Sequence, residues 1–230
     1  MNYKINEKQL VSITLQEGEK IYADPGKMIS KSENVKMSAK MVGGIVNAIE
    51  RKMTGNAAML TVFEAVNGAG IISLAGVLPG KVREIALGEG EEFVAEHFAF
   101  LAAEDSIQYS IQPIGISAAF FGGAGIILLK LTGPGTVFIQ PVGDTLEYDL
   151  DGTSRIEVDP GHIAGFDSSL SFKIKPIDNV RSAMFAGEGL FLATFSGKGR
   201  ILLHSISRYK LSLALYKEGQ AESKGSKGGD

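Results

Sequence analysis

The sequence predicts an all-β chain of three similar β units closed around a pseudo-threefold axis, with one short amphipathic helix. Three observations predict it. A glycine-led apolar segment occurs three times. A segment running from an acidic residue into an alternating strand also occurs three times. Finally, 29 glycines against seven prolines are spread evenly through 230 residues, as many short strands joined by tight turns require.

In chain order, Leu10–Leu15 reads as a first strand, and Pro25-Gly26 makes a turn between two extended segments. That second stretch is the first copy of the acid-led segment. With Asp24, Glu96 and Asp159 aligned, Met28, Phe100 and Ile163 fall four residues on. Val35, Ile107 and Leu170 fall eleven on, and Met37, Tyr109 and Phe172 thirteen on, without a gap. The later positions alternate apolar and polar, the period of a strand with one buried face.

Residues 41–55 break the pattern. Val42, Ile45, Val46, Ile49 and Met53 share one helical face opposite Asn47, Glu50 and Arg51, predicting a helix over 42–53 that plugs the core or docks a partner. The glycine-led copies open at Gly55, Gly123 and Gly187 and carry Met59, Ile127 and Phe191 four residues on. Each reaches a Gly-x-Gly turn (Gly68/Gly70, Gly133/Gly135, Gly197/Gly199), followed by Ile72/Leu74, Val137/Ile139 and Ile201/Leu203.

The chain thus runs acid-led, glycine-led, three times over. Read as units of about 41–111, 112–175 and 176–216, the last lacks an acid-led segment, and residues 1–40 would supply it, closing the ring and covering sheet edges. Residues 1–216 then form a single domain. Residues 208–216 read as a strand, and 217–230, polar and rich in Gly, Ser and Lys, as a disordered tail.

The totals exclude several functions. With no cysteine there is no disulfide or thiolate chemistry, and a net charge of −3 gives no basic footprint for nucleic acid. Residues 1–52 carry nine Lys/Arg against six Asp/Glu, dispersed as a solvated surface would be. No run reaches transmembrane length and the start lacks a signal core, so a cytoplasmic protein is expected. Neither G-x-G-x-x-G, G-x-x-x-x-G-K-[ST] nor G-x-S-x-G occurs, and His97, His162 and His204 lack metal-ligand spacing. No catalytic residue, metal site or cofactor is expected.

The most specific polar signal is the repeated acid: Asp24, Glu96 and Asp159. Either the three form a ring of carboxylates that binds a cation or shares a proton, or each accepts backbone N–H bonds in its own turn. In the second case replacement by Ala should cost about 0.5–2 kcal/mol at each, additively.

GEKIYADPGKM, the Gly-Gly helix ending in Arg-Lys-Met-Thr-Gly, LTGPGTVFIQPVG, IEVDPGHIAGF and FAGEGLFLATFSGKG together resemble the mitochondrial-biogenesis family named for altered inheritance of mitochondria, over roughly residues 10–206. The resemblance implies β-sandwich units like those of the tryptophan RNA-binding attenuation protein, often assembled as a homotrimer, and no catalytic residues. Two departures stand out: His97-Phe98 occupies the place of Pro-Gly, and Arg200 and His204 interrupt the last apolar turn. The expected function is a non-catalytic interaction or scaffold protein that forms a homo-oligomer and binds no nucleic acid. The alternative is a small-molecule or ion-binding protein using the carboxylate ring.

Overall fold

A computed structural model describes residues 1–41, 59–112, 126–176 and 191–225, with side chains to residue 218. The predicted helix at 42–53 lies outside the described residues. What is described is nearly all β.

The strands form one set of antiparallel pairings that occurs three times. In residues 10–74, β2 (Leu10–Leu15), β3 (Lys20–Ala23), β4 (Met28–Lys31), β5 (Val35–Met41), β6 (Met59–Ala65) and β7 (Gly70–Leu74) make two three-stranded sheets, ordered β2-β7-β4 and β5-β6-β3. In residues 83–139, β8 (Arg83–Leu87), β9 (Glu92–Glu96), β10 (Phe100–Glu104), β11 (Gln108–Gln112), β12 (Leu128–Thr132) and β13 (Gly135–Ile139) repeat them as β8-β13-β10 and β11-β12-β9.

In residues 145–204 the same work is done by two 14-residue strands, β14 (Thr145–Val158) and β17 (Phe191–His204), with β15 (Ile163–Asp167) and β16 (Ser171–Pro176). A register shift between Asp151 and Arg155 divides β14 into the two halves that other copies make as separate strands. The correspondence extends to irregularities. The registers of β4·β7, β10·β13 and β15·β17 slip at Met28/Ser30, Phe100/Ala102 and Ile163/Gly165, the same offset from the repeated acid each time.

Neighbouring copies are joined by strand pairing, β3 to β10 and β9 to β15, which fuses half-sheets into longer ones. At the amino terminus, β1 (Asn2–Asn6) adds to β2. Alternation along each strand buries one face, and where two sheets sandwich a third both faces are buried. Thus Ile21 and Ala23 enter one core cluster while Tyr22, on the opposite face of β3, enters the next. Among the described residues the buried apolar side chains form three such clusters. Gly165 allows the close approach of β15 to β9, since a Cβ there would lie 2.6 Å from the Phe93 ring and 2.8 Å from the Val94 carbonyl oxygen.

Two expectations are corrected. Residues 1–40 do not complete the last unit: β2 to β5 pair with β6 and β7, and none pairs with β14–β17 among the described residues. A complete set of pairings therefore begins at residue 10, and the units phase as 10–74, 83–139 and 145–204 rather than from residue 41. Second, residues 208–225 form a helix, α1 (Arg208–Gly225), in place of the expected strand at 208–216 and the start of the disordered tail. The period-two spacing of Leu211, Leu213 and Leu215 suggested a strand. Yet Ser207 starts a helix: its carbonyl accepts the Leu211 N–H at 2.9 Å and its hydroxyl the Lys210 N–H at 3.5 Å. Leu, Ala, Lys and Glu then favour continuation. Wound into a helix, the leucines point different ways, and Leu215 is 61% exposed.

Candidate functional site

The three repeated acids each sit at the end of a strand entering a tight turn, where the same local geometry recurs. Glu96, closing β9, accepts the Ala99 N–H through Oε2 at 3.0 Å. Asp159, after β14, caps the 3-10 turn Pro160–His162 by accepting the Gly161 N–H through Oδ1 at 2.8 Å. Asp24 differs. Its carboxylate meets Lys27 Nζ at 3.5 Å and His97 Nε2 at 3.2 Å, with all three side chains more than nine-tenths buried. The Lys27 ammonium also donates to the Phe98 carbonyl at 3.4 Å.

The first turn of α1 lies over the other two acids. Lys210 Nζ is 2.9 Å from Asp159 Oδ2, and the Arg208 guanidinium lies 3.3 Å from the centre of the Phe98 ring, where its charge favours ionisation of Glu96. Each acid thus has a different cation near it: Lys27 and Lys210 pair with Asp24 and Asp159, and the Arg208 charge acts on Glu96. His97 bridges the first turn to the second, and α1 bridges the second to the third. His204 completes the row: its Nε2 faces the Gly161 carbonyl at 3.0 Å, while the His204 carbonyl faces His162 Nδ1 at 2.8 Å. Burial, chiefly, holds the His204 imidazole below its usual pKa, favouring the neutral ring.

This arrangement stitches three turns and a helix together. Among the described residues no three metal-ligating side chains gather into a site, and the acids do not share one cation. Sequence reasoning singled out Asp24, Glu96 and Asp159 but missed the partners. The available signal was the departure His97-Phe98, where the other copies have Pro25-Gly26 and Pro160-Gly161: His97 is the residue that reaches Asp24. Arg208 and Lys210 were hidden by reading their segment as a strand.

Burial raises the Glu96 carboxyl to about 6 from 4.5, against the pull of Arg208 and the turn's N–H groups. A raised folded-state pKa means that the native state holds this proton more tightly. Its stabilisation is complete below about pH 4.5 and is lost as pH rises through about 6. The native protein should lose about 2 kcal/mol from this group over that interval. Glu96→Gln, which keeps an acceptor oxygen, removes the titration. Urea unfolding of both proteins from pH 4 to 7.5 should show the variant gaining on the native chain by about that amount; a pH-independent difference would contradict the assignment.

No helix of the described residues is long and apolar enough to cross a membrane. The mitochondrial biogenesis AIM24 family profile matches residues 3–206. An uncharacterized protein of Streptococcus pyogenes serotype M6 is 30% identical over 205 residues, covering 86% of this chain and 82% of its own. The crystal structure of a Streptococcus pyogenes protein superposes with a TM-score of 0.77 at 28% identity, covering 94% of this chain and 98% of that one.

Proposed function

Because this chain belongs to the mitochondrial biogenesis AIM24 family, we propose that it is a non-catalytic interaction or scaffold protein, cytoplasmic and assembled as a homo-oligomer, with a trimer favoured. The observation that carries this reading is a contrast between interior and surface. The polar groups most able to do chemistry are spent on one another inside, as the paired acids are. The surface offers large apolar side chains: Met28 and Ile29 on β4, Met37 and Met41 on β5, and Leu213, Leu215 and Tyr216 on α1, between 38% and 66% exposed. Such residues gain most from being covered by protein.

The ion-binding alternative would require Asp24, Glu96 and Asp159 to exchange three separate cations for a shared one. Sedimentation of the full chain tests the preferred reading. A mass that is a multiple of 24.4 kDa, unchanged by calcium or a chelator, is expected. A monomer at all concentrations would overturn the homo-oligomer, and a chelator-dependent melting point would favour the alternative. With a net charge of −3, affinity for generic RNA should be weak and vanish near physiological salt. Submicromolar binding there would refute that expectation.

A further inference from the structure

The joints between neighbouring copies of the repeat show what the two ends of the chain lack. β10 is hydrogen-bonded on both edges, to β13 and to β3, and β15 likewise to β17 and β9. β4 holds the same place in the first copy, yet among the described residues it pairs only with β7. The consequence is visible in burial: Ile29 is 56% exposed where the corresponding Leu101 and Ala164 are 1% and 0% exposed.

The complementary deficit lies at the other end. β3 pairs with β6 and β10, and β9 with β12 and β15, whereas the matching second half of β14, residues 155–158, pairs among the described residues only with β17. Each end of the chain thus carries one half of a joint whose complete form the molecule displays twice. A bare strand edge is a row of unpaired N–H and C=O groups that a second strand can satisfy.

We propose that β4 of one chain pairs antiparallel with the second half of β14 of the next, head to tail, so that copies of the chain continue the repeat across their boundary. The proposal rests on the homo-oligomer reading and names the surface that makes it. Such a joint is heterologous, using two different edges, and generates a ring when the rotation closes.

The internal joints fix the register. Ala102 faces Ala23 and Ala103 faces Tyr22; Gly165 faces Ala95 and Phe166 faces Val94. Carried over at the same offsets from the repeated acid, Ser30 faces Val158, Lys31 faces Glu157 and Ser32 faces Ile156. The middle pair is apolar and internal in both existing joints. In the new one it brings together a lysine and a glutamate, neither of which has an ion-pair partner among the described residues. Opposite charges directly across an antiparallel pair favour this register, and like charges would oppose either edge pairing with itself.

The chain has no cysteine, so the register can be read by disulfide formation, since directly opposed residues in an antiparallel pair lie within bridging distance. Ser30→Cys and Val158→Cys proteins, mixed and oxidised, should give a mixed covalent dimer that neither variant forms alone. The double variant should give covalent species of two or more chains. Lys31→Glu and Glu157→Lys should each weaken association roughly tenfold in sedimentation, and the two changes combined in one chain should restore it. If the unmodified protein sediments as an oligomer but no mixed dimer forms, the edge assignment is overturned while the homo-oligomer stands. If it sediments as a monomer throughout, both fall. A double variant that yields only single chains with an internal disulfide would show that the ends close within one chain, which also overturns the proposal. Charge variants that leave association unchanged would refute the register.

Discussion

Deleting residues 1–40 should abolish cooperative folding. The segment contains β1 to β4 and all but the last residue of β5, and its Val11, Ile13, Leu15, Ile21, Ala23 and Val35 are each at most 1% exposed. They share a core with Phe63, Ile72, Leu74, Leu101 and Phe138. At about 1.5–3 kcal/mol for each large side chain buried, the loss exceeds the roughly 5–15 kcal/mol by which a domain is stable. It also bares β6, β7 and one edge of β10. The truncated chain should show no sigmoidal melt and should aggregate. A soluble product with a single transition near that of the full chain would contradict this packing. The cause is loss of the first copy's own core, not the opening of a ring closed by the last copy, as the sequence reading supposed.

Asp24→Ala should be the most damaging change among the three repeated acids, costing about 3–5 kcal/mol, because it strands the buried Lys27 ammonium without its carboxylate. Asp24→Ala combined with Lys27→Met removes both charges and should recover most of the loss, since an apolar pair of similar volume can replace a buried ion pair. Asp159→Ala should cost only about 0.5–2 kcal/mol, the ordinary penalty for a lost turn cap, because Lys210 is 42% exposed at its side chain and can turn to water. Denaturant unfolding at pH 7 ranks the variants. Equal and additive losses at the two positions would restore the view that the acids are equivalent turn residues.

The fold was legible where burial repeats in phase. Leu15, Leu87 and Leu150 each stand nine residues before an acid, and with Ile13, Ile85 and Tyr148, each eleven before, they mark the strand position that opens each copy. That signal was present but faint, because Arg83 interrupts it in β8 and because β14 runs two positions together into one strand. Without it the repeat was phased from the wrong residue. The acids were legible because they recur, but their partners were not. Lys27, His97, Arg208 and Lys210 occupy no equivalent places, and what unites them is proximity in space. The helix at 208–225 was missed because alternating leucines satisfy a strand pattern while the deciding group is one serine hydroxyl at the cap.

The central claim is that this chain works through its strand edges, with its polar row reserved for holding turns. Hydrogen–deuterium exchange at several protein concentrations tests it most directly. Amides of residues 28–32 and 155–158 should exchange slowly when the protein is concentrated and quickly on dilution or after Lys31→Glu. The turns at 24–27, 96–99 and 159–162 should exchange at the same rate throughout, with or without added calcium. Edges indifferent to concentration, together with turns slowed by a cation, would contradict the account and place the function in the carboxylates.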